Sequence, residues 1–373
     1  MRNDFFDAIA KGPGGTVRAY RLVDLTGFGS NPGALRARVH VPARLTDRPA
    51  LVVVLHGCTQ TAAGYDHGSG WSQLADRHGF VLLYPEQERS NNANLCFNWF
   101  EPGDTARGAG EALSIHQMIE AVSVAHAIDC DRIFVTGLSA GGAMASVMLA
   151  TYPETFAGGA IIAGLPYGCA SNVQQAFGAM RSRGQARPDA LAALIQHASG
   201  HDGPWPKVSV WHGSGDSTVN PNNADAIVEQ WLPIHGVVGS PPMTDIVDGY
   251  PHRAWRAASG QIVVEAYSIT GMGHGIPLDA NAVHPVGAAG PYMLSMGISS
   301  SKRIAEFWGL TSDTIPQPEA AKRKRDASST VSGTSVASRV PQARRLYPEP
   351  KPAPVIDVRR IIEDALRAGG LLK

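Results

Sequence analysis

The sequence predicts an α/β fold with a mainly parallel central sheet, an antiparallel strand pair on its N-terminal side and helices on both faces. Three patterns carry that expectation. Two early segments alternate apolar and polar residues, as half-exposed antiparallel strands do. Later segments are short and continuously apolar, as strands buried on both faces are. Helical stretches separate those runs, which is the signature of a parallel sheet covered on both sides.

Residues 16–24 and 34–42 form the alternating pair. In the second, Leu35, Ala37, Val39 and Val41 share one face and Arg36, Arg38 and His40 the other. The turn-rich stretch 26–33 joins them. Continuous apolar runs follow at 51–55, 80–84, 133–135, 159–163, 208–211 and 262–264. Between them, residues 111–127 place Leu113, Ile115, Met118, Ile119 and Val122 at helical spacing. Residues 140–152, 223–232 and 299–308 complete the helical set. An antiparallel pair opening a parallel sheet is the arrangement of α/β-hydrolases.

Residues 1–310 are expected to form that domain. Within it the long connection 165–206 holds helical stretches around 172–180 and 188–197. An insertion of this size over the carboxyl edge of a sheet would cap a site there. Beyond residue 310 the composition shifts. Residues 311–354 are rich in Ser, Thr, Pro and charge and are expected to be a disordered linker. Its Lys322-Arg323-Lys324-Arg325 run reads as solvated charge. Residues 355–373 turn amphipathic, with Val358, Ile361, Ile362, Ala365 and Leu366 on one stripe, Asp357 as a cap and Gly369-Gly370 as a stop. So short a helix needs a surface to dock on: the catalytic domain, a protein partner or a hydrophobic polymer granule.

Composition excludes several classes. The chain has 373 residues, 44% hydrophobic, with 32 basic and 32 acidic side chains and no net charge. Nothing global favours nucleic acid or an anionic membrane surface. No run approaches the roughly 18 apolar residues of a membrane span. No metal-ligand cluster, nucleotide loop or cofactor motif appears, so neither metal nor cofactor is expected. The N-terminus carries Asp4 and Asp7 where a secretory signal needs positive charge, and no apolar segment follows. Four cysteines, Cys58, Cys96, Cys130 and Cys169, allow three full pairings or none, and form no C-x-x-C motif.

The chemistry centres on Gly137-Leu138-Ser139-Ala140-Gly141, between the apolar run 133–135 and the small-residue helix. Strand, sharp turn and helix are what a nucleophile elbow needs, and glycines let backbones pass closely there. The pattern alone is weak; its partners make it specific. In this fold class the acid and then the histidine follow the serine in the chain. Asp216 lies in a Gly-rich turn just beyond the run 208–211, whereas Asp225, Asp245 and Asp248 lie in a helix or a less defined loop. His274, bracketed by Gly273 and Gly275, follows the last strand; His252 and His284 are off that position. An oxyanion hole would use the backbone N–H of Ala140 and of Cys58, in the loop His56-Gly57-Cys58 after the first central strand. Cys58 as a nucleophile is disfavoured, because no helix N-terminus is near to lower its pKa. Trp99, Phe100, Tyr65 and Trp205 are candidates for an apolar substrate wall.

Leu55-His56-Gly57-Cys58-Thr59-Gln60, Cys96-Phe97-Asn98-Trp99-Phe100, residues 137–144, residues 211–219 and Gly273-His274-Gly275 together resemble the polyhydroxybutyrate depolymerase family of esterases, related to feruloyl and acetylxylan esterases. The resemblance covers roughly residues 42–310. It implies an α/β-hydrolase fold, hydrolysis of a carboxylic ester or polyester, and the triad Ser139, Asp216, His274. Members are often secreted and carry disulfides; this chain shows no signal peptide, so extracellular and cytoplasmic placement both stay open. With the resemblance in place, a Cys58–Cys96 bridge is expected to pin Asn98, Trp99 and Phe100 beside the oxyanion loop, and Cys130 and Cys169 stay unassigned. The expected activity is serine-ester hydrolysis on short hydroxyalkanoate esters. The alternatives are a feruloyl or acetylxylan esterase and, from another class, a silent hydrolase fold used for binding.

Overall fold

Strands here are made by what covers them. Leu51–Leu55 is apolar at every position, and every residue is buried. Leu51, Val53 and Leu55 point into one core and Val52 and Val54 into the other, because successive strand side chains face opposite ways. The computed structural model describes residues 22–183 and 187–311.

The strands are β1 (Val23–Leu25), β2 (Arg36–His40), β3 (Leu51–Leu55), β4 (Val81–Glu86), β5 (Ile133–Leu138), β6 (Gly158–Ile162), β7 (Lys207–Gly213), β8 (Met243–Val247), β9 (Tyr250–Arg256) and β10 (Ile262–Ile269). They form one ten-stranded sheet in the order β1-β2-β4-β3-β5-β6-β7-β10-β9-β8. From β4 to β10 all pairs are parallel. The β1–β2 pair is antiparallel, as expected of the N-terminal strand pair, although residues 16–21 of the expected first strand lie outside the described residues; β2–β4 is antiparallel as well. The fold class is therefore as expected. The other edge is also antiparallel, through the β8–β9 hairpin, which the sequence did not announce. Asp245 accordingly sits in a strand, not a loop. A small parallel pair, β11 (Ile276–Leu278) and β12 (Met293–Ser295), stands apart.

Two cores flank the sheet. One is filled by helices Gly110–Ala125, Ala140–Thr151, Val173–Met180, Pro188–Ser199 and Asn222–Trp231. The other is filled by Ala62–Ser69, Trp71–His78 and Ser300–Phe307. The first two of these last helices were not anticipated. The helix over 62–69 contains two glycines, a histidine and an aspartate, and its apolar stripe is weak. It is held by its N-cap Thr61, whose hydroxyl accepts from the Gly64 N–H at 3.2 Å, and by burial of Tyr65. Parallel register then places the functional loops. Leu55 pairs with Gly137, so the loops after β3 and β5 leave the sheet side by side. Ile269 pairs with Gly213, which does the same for the loops after β7 and β10. The linker and amphipathic helix expected over 311–373 lie, apart from Thr311, outside the described residues.

Candidate active site

Ser139 stands at the turn between β5 and its helix with φ 58° and ψ −118°, a conformation an L-residue adopts only under constraint. The constraint is visible. The Ser139 N–H donates to the Ile162 carbonyl at 2.9 Å, and the Ser139 carbonyl accepts from Ala143 at 2.9 Å. A Cβ at Gly137 would strike the Gly141 backbone, and one at Gly141 would strike the Leu55 and His56 carbonyls. Those two glycines let the elbow close against the loop after β3.

Asp216 follows β7 in a turn closed by its own carboxylate. Its Oδ1 accepts from the Thr218 and Val219 N–H groups at 2.8 and 2.9 Å. Its Oδ2 lies 2.7 Å from His274 Nδ1. Backbone bonds hold the two loops together: Ser214 N–H donates to Ile269 at 3.0 Å and Gly215 N–H to Met272 at 2.9 Å. Burial would raise the Asp216 pKa, but hydrogen bonds from His212 and His274 hold it well below the usual carboxylate range. The His274 Nε2 bonds to none of the described residues, and His274 and Ser139 line one small cavity with Gly57, Cys58, Gln60 and Tyr292.

The loop after β3 is set by His56. Its Nε2 accepts from the Gln87 N–H at 3.1 Å, so Nδ1 carries the proton and donates to the Gly57 carbonyl at 2.8 Å. Burial lowers the His56 pKa, which keeps the ring neutral. The Gly57 N–H is taken by Gln60 Oε1 at 2.8 Å. A disulfide joins Cys58 to Cys96, as the family resemblance implied, and removes Cys58 as a nucleophile. Thr59 N–H donates to Asn94 at 2.7 Å, a second tie between this loop and the next. Beneath them the carboxyl of Glu111 is buried and receives Gln87, Asn91 and the Asn98 N–H. Burial pushes its pKa up to about 8 against those donors. Cys130 and Cys169 are unbridged.

A cavity of about 300 Å³ opens beside Ser139, with Cys58 and Ala140 in its wall. Trp99 and Phe100 line it, and Leu165, Ala176, Phe177 and Met180 from the 165–206 connection complete an apolar face with no charged side chain among the described residues. Tyr65 and Trp205 do not. Tyr65 is fully buried in the core on the other face of the sheet. Trp205 packs edge-on against His201 and Trp231 at 4.9 and 6.4 Å. Their aromatic character fits a core as well as a wall, so composition did not separate the two.

One residue beside Asp216 escaped the sequence reading although it lies within a quoted motif. His212, buried at 3% exposure, puts Nε2 2.9 Å from the Val219 carbonyl and 3.3 Å from Asp216 Oδ2. Both are acceptors, so Nε2 is the protonated nitrogen. Asp216 thus lies between two histidines. The available signal was the spacing of four residues from His212 to Asp216, which a strand followed by a tight turn folds back on itself.

Sheet and corner together define an α/β-hydrolase, and known proteins narrow the class to carboxylic-ester hydrolases. A solved acetyl xylan esterase from Aspergillus awamori superposes with a TM-score of 0.65 at 26% identity, over 78% of this chain and 99% of that one. Feruloyl esterase B of Talaromyces stipitatus is 32% identical over 281 residues, 72% of this chain and 76% of that protein. Poly(3-hydroxyalkanoate) depolymerase C of Paucimonas lemoignei is 48% identical over 293 residues, 78% of this chain and 70% of that protein. The profile of the family described as Esterase PHB depolymerase matches residues 36–244. The chain belongs to that family.

Proposed function

We propose that this esterase hydrolyses short-chain hydroxyalkanoate esters, as polymer or oligomer, through an acyl-enzyme on Ser139. The observation that carries the reading is the 2.7 Å His274 Nδ1–Asp216 Oδ2 bond with Ser139 and His274 facing one cavity. His274 Nε2 takes the hydroxyl proton as Ser139 Oγ attacks the ester carbonyl. Asp216 holds the ring in the tautomer that leaves Nε2 free to accept, and stabilises the imidazolium. The backbone N–H groups of Ala140 and Cys58 receive the oxyanion. The alcohol leaves with the proton from His274, and water repeats the sequence to release the acid. Trp99 and Phe100 supply apolar contact for the substrate.

Hydroxyalkanoate is preferred over feruloyl or acetylxylan esters because the depolymerase relative is 48% identical and the feruloyl esterase 32%. A panel of p-nitrophenyl butyrate, hydroxybutyrate oligomers, methyl ferulate and acetylxylan decides between them. Ser139→Ala should lose about 10⁴-fold or more in kcat and all fluorophosphonate labelling. A variant that keeps full activity sinks the triad assignment, and a wild type that resists the label supports a binding role instead. Docking to a polymer granule or a protein through residues 355–373 belongs to the same proposal and rests on their amphipathic sequence.

A further inference from the structure

Glu111 is fully buried in the first turn of the helix Gly110–Ala125, and among the described residues no basic side chain pairs with it. An ionised carboxyl is costly to bury without a cation, so its donors and the helix N-terminus must hold it. Its Oε2 accepts from the Asn98 N–H at 2.9 Å, and its Oε1 from Gln87 Nε2 at 2.6 Å and Asn91 Nδ2 at 3.2 Å. Each of these is a fixed donor. Gln87 Oε1 already accepts from the Glu88 N–H at 3.0 Å, and Gln87 Nε2 also donates to the Cys96 carbonyl at 3.0 Å. Asn91 Nδ2 is fixed in the same way by the Gly33 carbonyl at 2.9 Å. A proton on either carboxyl oxygen would meet only donors, so the site is built for the carboxylate.

Two routes lead from this carboxylate to Cys58. In the first, the Gln87 N–H donates to His56 Nε2 and His56 Nδ1 donates to the Gly57 carbonyl at 2.8 Å. That carbonyl and the Cys58 N–H belong to one trans peptide and point in opposite directions, so a bond that fixes the carbonyl also aims the N–H. The same bond polarises the peptide and makes the N–H a better donor. The second route is covalent. Asn98 and the Cys96 carbonyl belong to the loop whose Cys96 is bridged to Cys58. Glu111 itself lines neither cavity beside Ser139.

We propose that Glu111, as a carboxylate, is a positioning residue for the oxyanion hole: it holds Gln87 and Asn98 so that the Cys58 N–H is aimed before charge develops on the ester oxygen. A donor already in place costs no reorganisation at the moment of reaction. This rests on the assignment of the Cys58 N–H to the oxyanion under the proposed function.

The test is Glu111→Gln, assayed at about pH 9, above the value of about 8 to which burial lifts the Glu111 carboxyl. The amide keeps the shape but must turn an N–H toward one of the fixed donors. With p-nitrophenyl butyrate, kcat should fall by about tenfold or more and KM should change little. The second readout is propyl trifluoromethyl ketone. Ser139 Oγ adds to its carbonyl carbon, His274 takes the hydroxyl proton, and the carbonyl oxygen becomes an oxyanion. The variant should bind this ketone more weakly by a similar factor, and should bind the matching trifluoromethyl alcohol, which forms no oxyanion, as wild type does. Unchanged kcat overturns the proposal, as does an equal loss of ketone and alcohol affinity, which marks general loosening. If wild type holds the ketone no more tightly than the alcohol, the oxyanion reading fails and this proposal with it. If wild type and variant both hold it tightly, the role of Glu111 alone fails. Gln87→Leu, which removes an Oε1 donor, should show the same split and add little to Glu111→Gln in the double variant. Where Glu111→Gln does not fold, Gln87→Leu carries the test, and wild-type kcat in it overturns the proposal.

Discussion

Two histidine–carboxylate clusters lie around strand β10, and they are built as inverses. At the carboxyl ends of β7 and β10 one carboxylate, Asp216, lies between two histidines. On the antiparallel edge one histidine, His252, lies between two carboxylates. Its Nδ1 is 2.7 Å from Asp245 and its Nε2 3.2 Å from Glu265. The first is largely buried; in the second His252 and Glu265 are buried and Asp245 is exposed. Among the described residues, only the first leaves ring nitrogens uncommitted, the buried Nδ1 of His212 and the Nε2 of His274, and His274 lines a cavity with Ser139. An imidazole saturated at both nitrogens can hold a structure together but cannot move a proton for a substrate.

Substitution should break this symmetry most sharply at the two histidines. His274→Ala is expected to cost about 10⁴-fold or more in kcat on a soluble ester. His252→Ala should instead leave turnover near wild type and lower the melting temperature by on the order of 5 °C, because buried Glu265 loses its histidine and keeps the Ser209 hydroxyl as donor. Steady-state kinetics beside thermal denaturation reads both. A large catalytic loss in His252→Ala would refute the distinction.

His212 sharpens it at smaller scale. Removing its hydrogen bond to an ionised acceptor in His212→Ala should lower kcat roughly ten- to a hundredfold with KM little altered. His212→Gln, which can again offer an N–H to Asp216 Oδ2, should recover part of the loss. Recovery is what separates positioning of Asp216 from mere packing.

The smallest effect is in pH. Burial alone would lower the His252 pKa, but hydrogen bonds and charge from Glu265 and Asp245 outweigh it and raise the value. Asp245 on β8 and Glu265 on β10 are the carboxylates that face it, and the Tyr267 ring lies 4.3 Å away. A folded-state pKa above the unfolded one adds stability that is complete below the unfolded value and is lost as pH rises through the raised value. The melting-temperature gap between wild type and His252→Gln should therefore be widest in mild acid and shrink in alkali. A gap that grows with pH would contradict the assignment.

The cluster around Asp216 was far more legible in the sequence than the one around His252. Ser139, Asp216 and His274 each follow a buried apolar strand, and their order in the chain matches the order the fold demands. Strands such as 51–55 and 133–135 announce themselves because burial on both faces leaves no polar residue in them. The β8–β9 hairpin is half-exposed, carries Asp245, His252 and Arg253 in its strands, and follows Pro241-Pro242, so neither continuity nor clean alternation marks it. His252 could not be placed while its strand was unseen. His212 was hidden for another reason. Its contact with Asp216 comes from a tight turn, and periodicity of helix or strand does not describe a turn. Tyr65 and Trp205 show the same limit for aromatics, since a ring in a cavity wall and a ring in a core have the same sequence signature.

The bridge from Cys58 to Cys96 closes a covalent ring over a sequence separation of 38. Inside that ring lie all of β4 and the partly exposed stretch from Glu88 to Asn94. A protease that cuts there opens the ring without dividing the molecule. Both fragments stay joined through the sulfurs and through the β3–β5 pairing in the sheet. Nicked enzyme would run as one band on a non-reducing gel and as two after reduction.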